Sequence, residues 1–117
     1  MDIELYRELC LSLPHVTEDM PFDENVLVFR IGGKIFTLLD VNNFESVNLK
    51  CDPERAIELR EQNEGIQPGY HMNKKHWNTV RTDGSVDDRL IVELVKHSYD
   101  LVFKSLPLSK RKELSNR

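Results

Sequence analysis

Apolar positions recur with the strand period of two over residues 26–31 and 34–41, and Gly32-Gly33 separates the two runs. Two residues joining two strands suit a tight hairpin, whose turn positions need positive φ that glycine adopts without steric cost. That register sets Phe29 opposite Phe36 and Leu27 opposite Leu38. Together with Ile31 these make one apolar face, predicted to be buried. Val28, Thr37, Arg30 and Ile35 make the other, more mixed face. Asn42-Asn43 turns the chain into a third run, 46–50, with Val47 and Leu49 inward. The pattern predicts an antiparallel meander with one face buried and one wetter.

Helical spacing flanks the meander. Leu5, Tyr6, Leu9, Cys10 and Leu13 share a face behind Asp2, a helix cap, and Pro14 stops the run. Residues 15–25 are polar and read as a loop with a short edge strand. Asp52-Pro53-Glu54 opens a second helix carrying Ala56, Ile57 and Leu59, with Gly65 as a cap just past its end. Residues 70–82 read as another strand and Asp83-Gly84 as a turn. Ser85, in a capping box with Asp88, opens a third helix lined by Leu90, Ile91, Leu94, Val95, Leu101 and Val102 and followed by Pro107. Helices interrupt hairpin-connected strands without alternating strictly with them. That predicts an α+β two-layer sandwich, an antiparallel sheet with three helices on one face. The expected domain spans 1–107, and the polar, basic stretch 108–117 is expected to be a flexible tail.

Composition agrees with one globular domain: 117 residues, 39% hydrophobic and 31% charged. Cys10 and Cys51 are far apart and make neither a disulfide framework nor a zinc motif. The start Met1-Asp2-Ile3-Glu4 is acidic where a signal peptide is basic, and no stretch approaches the roughly 20 apolar residues of a membrane span. A cytoplasmic protein with no membrane partner is the expectation. The net charge of −4 is unevenly spread. Residues 65–81 carry Lys74, Lys75 and Arg81 and no acid, and residues 104–117 carry five bases and one acid. The acidic bulk opposes long-range attraction of nucleic acid, yet two basic islands remain for local contact.

The first island lies in residues 68–81, which hold the sole tryptophan, His71 and His76. In an extended chain His71, Asn73, Lys75, Trp77, Thr79 and Arg81 share one face and Met72, Lys74, His76, Asn78 and Val80 the other, and neither is cleanly apolar. Lys74, Lys75 and Arg81 suit phosphates, Asn73 and Asn78 suit base edges, and Tyr70, His76 or Trp77 suit stacking. The plainer account is a partly exposed strand with solvated lysines and a core tryptophan. His71 and His76 fall on opposite faces of a strand with no carboxylate or thiolate nearby, so no metal cofactor is expected. Cys10 lies on an apolar helix face and Cys51 has no local partner, so neither reads as a nucleophile. Helix-start charge accounts for Asp87 and Asp88, and Gly32-Gly33 is a turn and no phosphate cradle.

Asn48-Leu49-Lys50-Cys51-Asp52-Pro53-Glu54, Pro68-Gly69-Tyr70-His71-Met72-Asn73-Lys74 and His76-Trp77-Asn78-Thr79-Val80 resemble the MmcQ/YjbR family of small bacterial proteins. The opening helix, the Gly-Gly hairpin and Ser98-Tyr99 are similar as well, so the resemblance covers about residues 2–106. It implies a two-layer fold akin to secretion chaperones and frataxin-like sheets. The family is commonly labelled DNA-binding, and no substrate or catalytic residue set goes with it. Frataxin-like iron sites would draw on acids such as Glu4, Glu8, Glu18 and Asp19, which solvation explains equally well. The expected function is a non-enzymatic module contacting DNA through Tyr70, His71, Asn73, Lys74, Lys75, His76, Trp77, Asn78 and Arg81, helped by Lys110, Arg111 and Lys112. The alternative is a protein- or peptide-binding adaptor, chaperone-like or pairing with itself.

Overall fold

In the computed structural model, which describes residues 1–70 and 72–116, the chain runs α1 (Ile3–Ser12), β1 (Thr17–Asp19), β2 (Val26–Ile31), β3 (Lys34–Asp40), β4 (Ser46–Lys50), α2 (Pro53–Gln62), β5 (Ile66–Pro68), β6 (Trp77–Arg81), α3 (Asp88–Ser105) and α4 (Leu108–Ser115). The strands form one antiparallel sheet in the order β1-β2-β3-β4-β6-β5. Local chemistry sets most boundaries. Asp2 and Asp52 cap α1 and α2 by accepting from the amides of Leu5 and Arg55, at 2.9 and 3.1 Å. Gly32 and Gly33 turn the hairpin at φ +59° and +84°, where any other residue would be strained.

Every helix buries side chains in a single cluster. Tyr6 and Cys10 of α1, Ala56 and Leu59 of α2, Ile91, Leu94, Val95 and Val102 of α3 and Leu114 of α4 meet Phe29, Ile31, Phe36, Leu39, Val47, Leu49, Ile66 and Val80 of the sheet. The protein is therefore the expected α+β sandwich, with four helices on one face where three were predicted. The opposite face receives no helix among the described residues. Val28 is buried there outside the cluster, and Ile35, Leu38, Asn48, Lys50 and Thr79 are half-buried.

The hairpin register departs from the two-residue prediction. Arg30 pairs with Ile35, but Phe29 pairs with Thr37, Val28 with Leu38 and Leu27 with Leu39, so Phe36 is an extra residue in a bulge. Alternation would send Thr37 away from the helices. The bulge instead turns both residues toward them: Phe36 meets Tyr99 edge-on at 5.5 Å, and Thr37 Oγ1 lies 2.6 Å from the Tyr6 hydroxyl. Past the bulge the faces exchange. Phe29 and Phe36 are fully buried as expected, whereas Leu27 is half-buried and Leu38 lies on the uncovered face while Leu39 enters the core.

Pairing of β3 with β4 stops at Thr37↔Leu49. Beyond that point the Phe36 carbonyl and the Lys50 amide are served by Ser98 of α3, whose buried hydroxyl donates to the first at 2.5 Å and accepts from the second at 2.9 Å. The neighbouring Tyr99 hydroxyl donates to the Pro14 carbonyl at 2.7 Å and holds the end of α1.

Three further expectations are corrected. α3 starts at Asp88 behind Asp87, whose Oδ1 accepts from the Arg89 amide, while Ser85 bonds to Asp83 in the preceding turn. Asn63, not Gly65, caps α2; Gly65 leads into β5, and a Cβ there would stand 2.6 Å from Ser85 Oγ and Val86 Cγ2. Within the stretch expected to be a flexible tail, 108–115 is helical, because Leu114 anchors α4 in the core.

Ser98→Ala leaves a buried carbonyl and a part-buried amide without their partner, which should lower unfolding free energy by about 1–3 kcal/mol. Urea denaturation measures this, and an unchanged midpoint would show that the hydroxyl carries no such weight.

Candidate nucleic-acid interface

The residues expected to form a strand from 70 to 82 divide in two. Among the described residues, only Trp77–Arg81 is strand; residues 73–77 make a turn in which the amides of His76 and Trp77 both donate to the Asn73 carbonyl, at 3.2 and 3.0 Å. β5 delivers the chain to this turn. Gly69 donates from its amide to the Trp77 carbonyl at 2.8 Å, and a Cβ on it would stand 2.8 Å from Trp77 Cβ and 3.0 Å from that carbonyl. Glycine is needed because the two backbones touch. One side of the turn is tied to the sheet: the Tyr70 amide donates to Thr79 Oγ1 at 2.9 Å, and Thr79 Oγ1 donates to Asn48 Oδ1 at 2.6 Å. The other side is held by Arg60 of α2, which donates to Asn78 Oδ1 at 2.6 Å and to the carbonyls of Trp77 and Lys74.

Strand alternation sorts the side chains. Leu49 lies in the core and Asn78 bonds to α2, so their strand neighbours Lys50 and Trp77, paired across β4 and β6, point to the uncovered face. Thr79 and Asn48 form the next pair and Arg81 and Ser46 the one after. Among the described residues of the face expected from an extended 70–82, Trp77, Thr79 and Arg81 remain as one surface, and Asn73 and Lys75 fall in the turn.

Tyr70 is 70% exposed, and Asn73, Lys74 and Lys75 are exposed beside it. His76 and Trp77 are half-buried. Asn73 accepts from the Lys75 amide through Oδ1 at 2.9 Å, which stiffens the turn. Asn78 must be withdrawn as a base reader: it is 1% exposed, faces the helices and holds Arg60, while its Nδ2 has no partner. Arg81 sits at the far end of β6, paired with Asp83 at 2.8 Å; hydrogen bonds from Ser85 and Arg81 hold the Asp83 carboxyl well below the usual range. His71 lies outside the described residues. The basic tail is not brought to the turn. Lys110 pairs with Glu113 at 3.7 Å and lines a cleft of about 340 Å³ with His15, Gly32 and Gly33, Arg111 donates to the Leu106 carbonyl, and Lys112 is exposed on the same helix. β4 separates that hairpin from β6. Lys50 and Arg60 are the contributors that sequence reasoning missed. Alternation from Val47 and Leu49 already points Lys50 outward, whereas no local signal reveals the long-range bonds of Arg60.

Other chemistry finds little footing. Burial pushes the Cys10 thiol up to about 12 and the Cys51 thiol up to about 11, so neither ionises readily near neutrality. Glu18 pairs with Arg7 and Asp19 with Arg30, leaving no acidic cluster with Glu4 and Glu8. Among the described residues, no group of three or more His, Cys, Asp or Glu is placed to hold a metal, and no helix is long and apolar enough to cross a membrane.

The YjbR family model matches residues 11–101. The chain is 35% identical to YjbR of Escherichia coli K12 over 115 residues, covering 97% of this chain and 98% of that one. It is 38% identical to YbdF of Escherichia coli O157:H7 over 104 residues, covering 88% and 85%. Among solved structures, the crystal structure of the Deinococcus radiodurans protein DR2400 (domain DUF419) superposes with a TM-score of 0.92 at 42% identity, covering 97% of this chain and 87% of that one. A Pseudomonas syringae protein superposes at 0.75 with 26% identity, covering 87% and 99%.

A histidine joins α3 to the start of α2. His97 Nε2 accepts from the amide of Asp52, the cap of α2, at 3.2 Å. Burial lowers the His97 pKa and the Arg55 charge lowers it further, against the opposing pull of Asp52, Asp100 and Glu93. A histidine whose folded pKa lies below its unfolded value binds more protons unfolded. Its contribution to stability is therefore complete above about pH 6.5 and is lost as pH falls. Urea midpoints should hold steady from pH 8 to 7 and decline toward pH 5.5, and His97→Gln should flatten that decline. An equal decline in the variant would assign it elsewhere.

Proposed function

The chain belongs to the YjbR family, and from that premise we propose that it is a DNA-binding module without catalysis of its own, working through the turn before β6. The observation that carries this reading is the placement of exposed Tyr70 beside exposed Lys74 and Lys75 on a turn clamped from both sides, next to Lys50 and Trp77. Cations held on a fixed backbone meet phosphates without first losing chain entropy, and an exposed aromatic ring offers a base its face. Two buried, poorly acidic thiols support the absence of nucleophilic chemistry.

The net charge of −4 sets the strength of the interaction. Contact is local and unassisted by the overall field, so binding is weak at physiological salt, micromolar or poorer, unless a specific sequence is read. A second reading rests on Val26, Ile35 and Leu38, half-buried on the uncovered face, and on exposed Met20 and Phe22, which suit a protein partner or a second copy.

Fluorescence anisotropy against random duplex and single strands over a salt series tests the proposal. Log affinity should fall with log salt by about 0.9 per phosphate neutralised on duplex and about 0.7 on single strands. Lys74→Ala with Lys75→Ala should flatten that slope by up to about two units and leave the fold intact. Absence of binding at low salt, or binding indifferent to the two lysines, would make the protein-partner reading the better account.

A further inference from the structure

We infer that the preferred ligand is a single strand lying across the uncovered sheet face, with bases stacked on Tyr70 and Trp77. This rests on the DNA-binding reading above and narrows its ligand. A duplex hides its bases in grooves, and reading them takes a helix or ribbon that protrudes into the major groove. Among the described residues, this turn presents no helix or ribbon of that kind. The Tyr70 amide is tied down to Thr79 on the sheet face, and Arg60 draws the carbonyls of Lys74 and Trp77 back toward α2.

What the face does offer matches an unstacked strand. Trp77 stands beside Lys50 at one end of β6, an aromatic ring next to a cation. One step along, Thr79 donates its proton to Asn48 Oδ1, which leaves the Asn48 amide group as a donor toward the face. The Tyr70 backbone is tied to the same row by its amide, which donates to Thr79, and the residue is 70% exposed. Stacking surface, amide donor and cation thus occur within two cross-strand rows on β4 and β6, while Lys74 and Lys75 flank them for the backbone. Sheet faces with aromatic side chains, bordered by positive charge, are a general solution for holding splayed bases. Charge complementarity selects a polyanion over an apolar peptide at this half of the sheet.

Single-stranded DNA and RNA oligomers of about a dozen nucleotides and a duplex of the same sequence provide the test, titrated at one low salt concentration with two readouts. Anisotropy should give the single strands at least about tenfold tighter binding than the duplex. The sole tryptophan, Trp77, should lose fluorescence on binding single strand. Tyr70→Ala should weaken single-strand binding about tenfold, while Tyr70→Phe restores it. Either sugar gives support, and a preference between them identifies the source of the strand. Equal or tighter duplex binding with unquenched Trp77 overturns the inference and leaves the DNA-binding reading standing. Failure of all three probes to bind removes both.

Discussion

The Ser98 hydroxyl donates to the Phe36 carbonyl and accepts from the Lys50 amide, so one buried side chain of α3 completes the hydrogen bonding of two strands where their pairing ends. The need arises from the bulge at Phe36, which turns Phe36 and Thr37 together toward the helices. Without a polar group from the helical layer, a buried carbonyl and a part-buried amide would stand unpaired, the buried one costing more than an ordinary hydrogen bond returns. The rest of the architecture follows outward from this point. His97, adjacent in the helix, takes the Asp52 amide and fixes the start of α2. α2 ends in the turn that carries Arg60, and Arg60 holds the basic turn before β6. The candidate interface is thus the last link of a chain of contacts that begins in the core.

That arrangement also explains how an acidic chain presents a positive corner. Many acids are engaged in local structure. Asp2, Asp52 and Asp87 cap helices, Asp23, Asp40 and Asp83 accept from turn amides, and Glu18 and Asp19 pair with arginines. Among the described residues, by contrast, Lys50, Lys74 and Lys75 enter no ion pair. The charge of residues 65–81 therefore differs in sign from the charge of the whole, and at physiological salt the nearby charges dominate within a Debye length of about 8 Å.

Most of the fold was legible because it is written locally. Gly32-Gly33, Asp2 and Asp52-Pro53 announce a turn and two helix starts by the chemistry of one or two residues. The bulge was not legible, since Phe36-Thr37-Leu38-Leu39 satisfies either register and only the distant Tyr6 and Ser98 decide between them. β5 escaped notice because three residues ending in a proline leave no periodicity. α4 was hidden for a similar reason: Leu114 alone anchors it, and its other apolar residue, Leu108, is exposed. The site was legible in composition and illegible in detail. Lys74, Lys75 and Tyr70 stand where a basic, aromatic segment suggests, but the burial of Asn78 depends on Arg60, 18 residues away, and the pairing of Arg81 with Asp83 on a local turn.

The account stands or falls on whether the turn and the polar half of the open sheet face act together as one surface. Amide and side-chain chemical-shift mapping during titration with an oligonucleotide at low salt observes this directly. The account predicts that shifts gather on Lys50, Lys74, Lys75, Thr79, the Asn48 side-chain amide and the Trp77 indole, while α1, β1 and α4 stay still. Shifts centred on Val26, Ile35 and Leu38, on the cleft beside His15 and Lys110, or nowhere at all would contradict it.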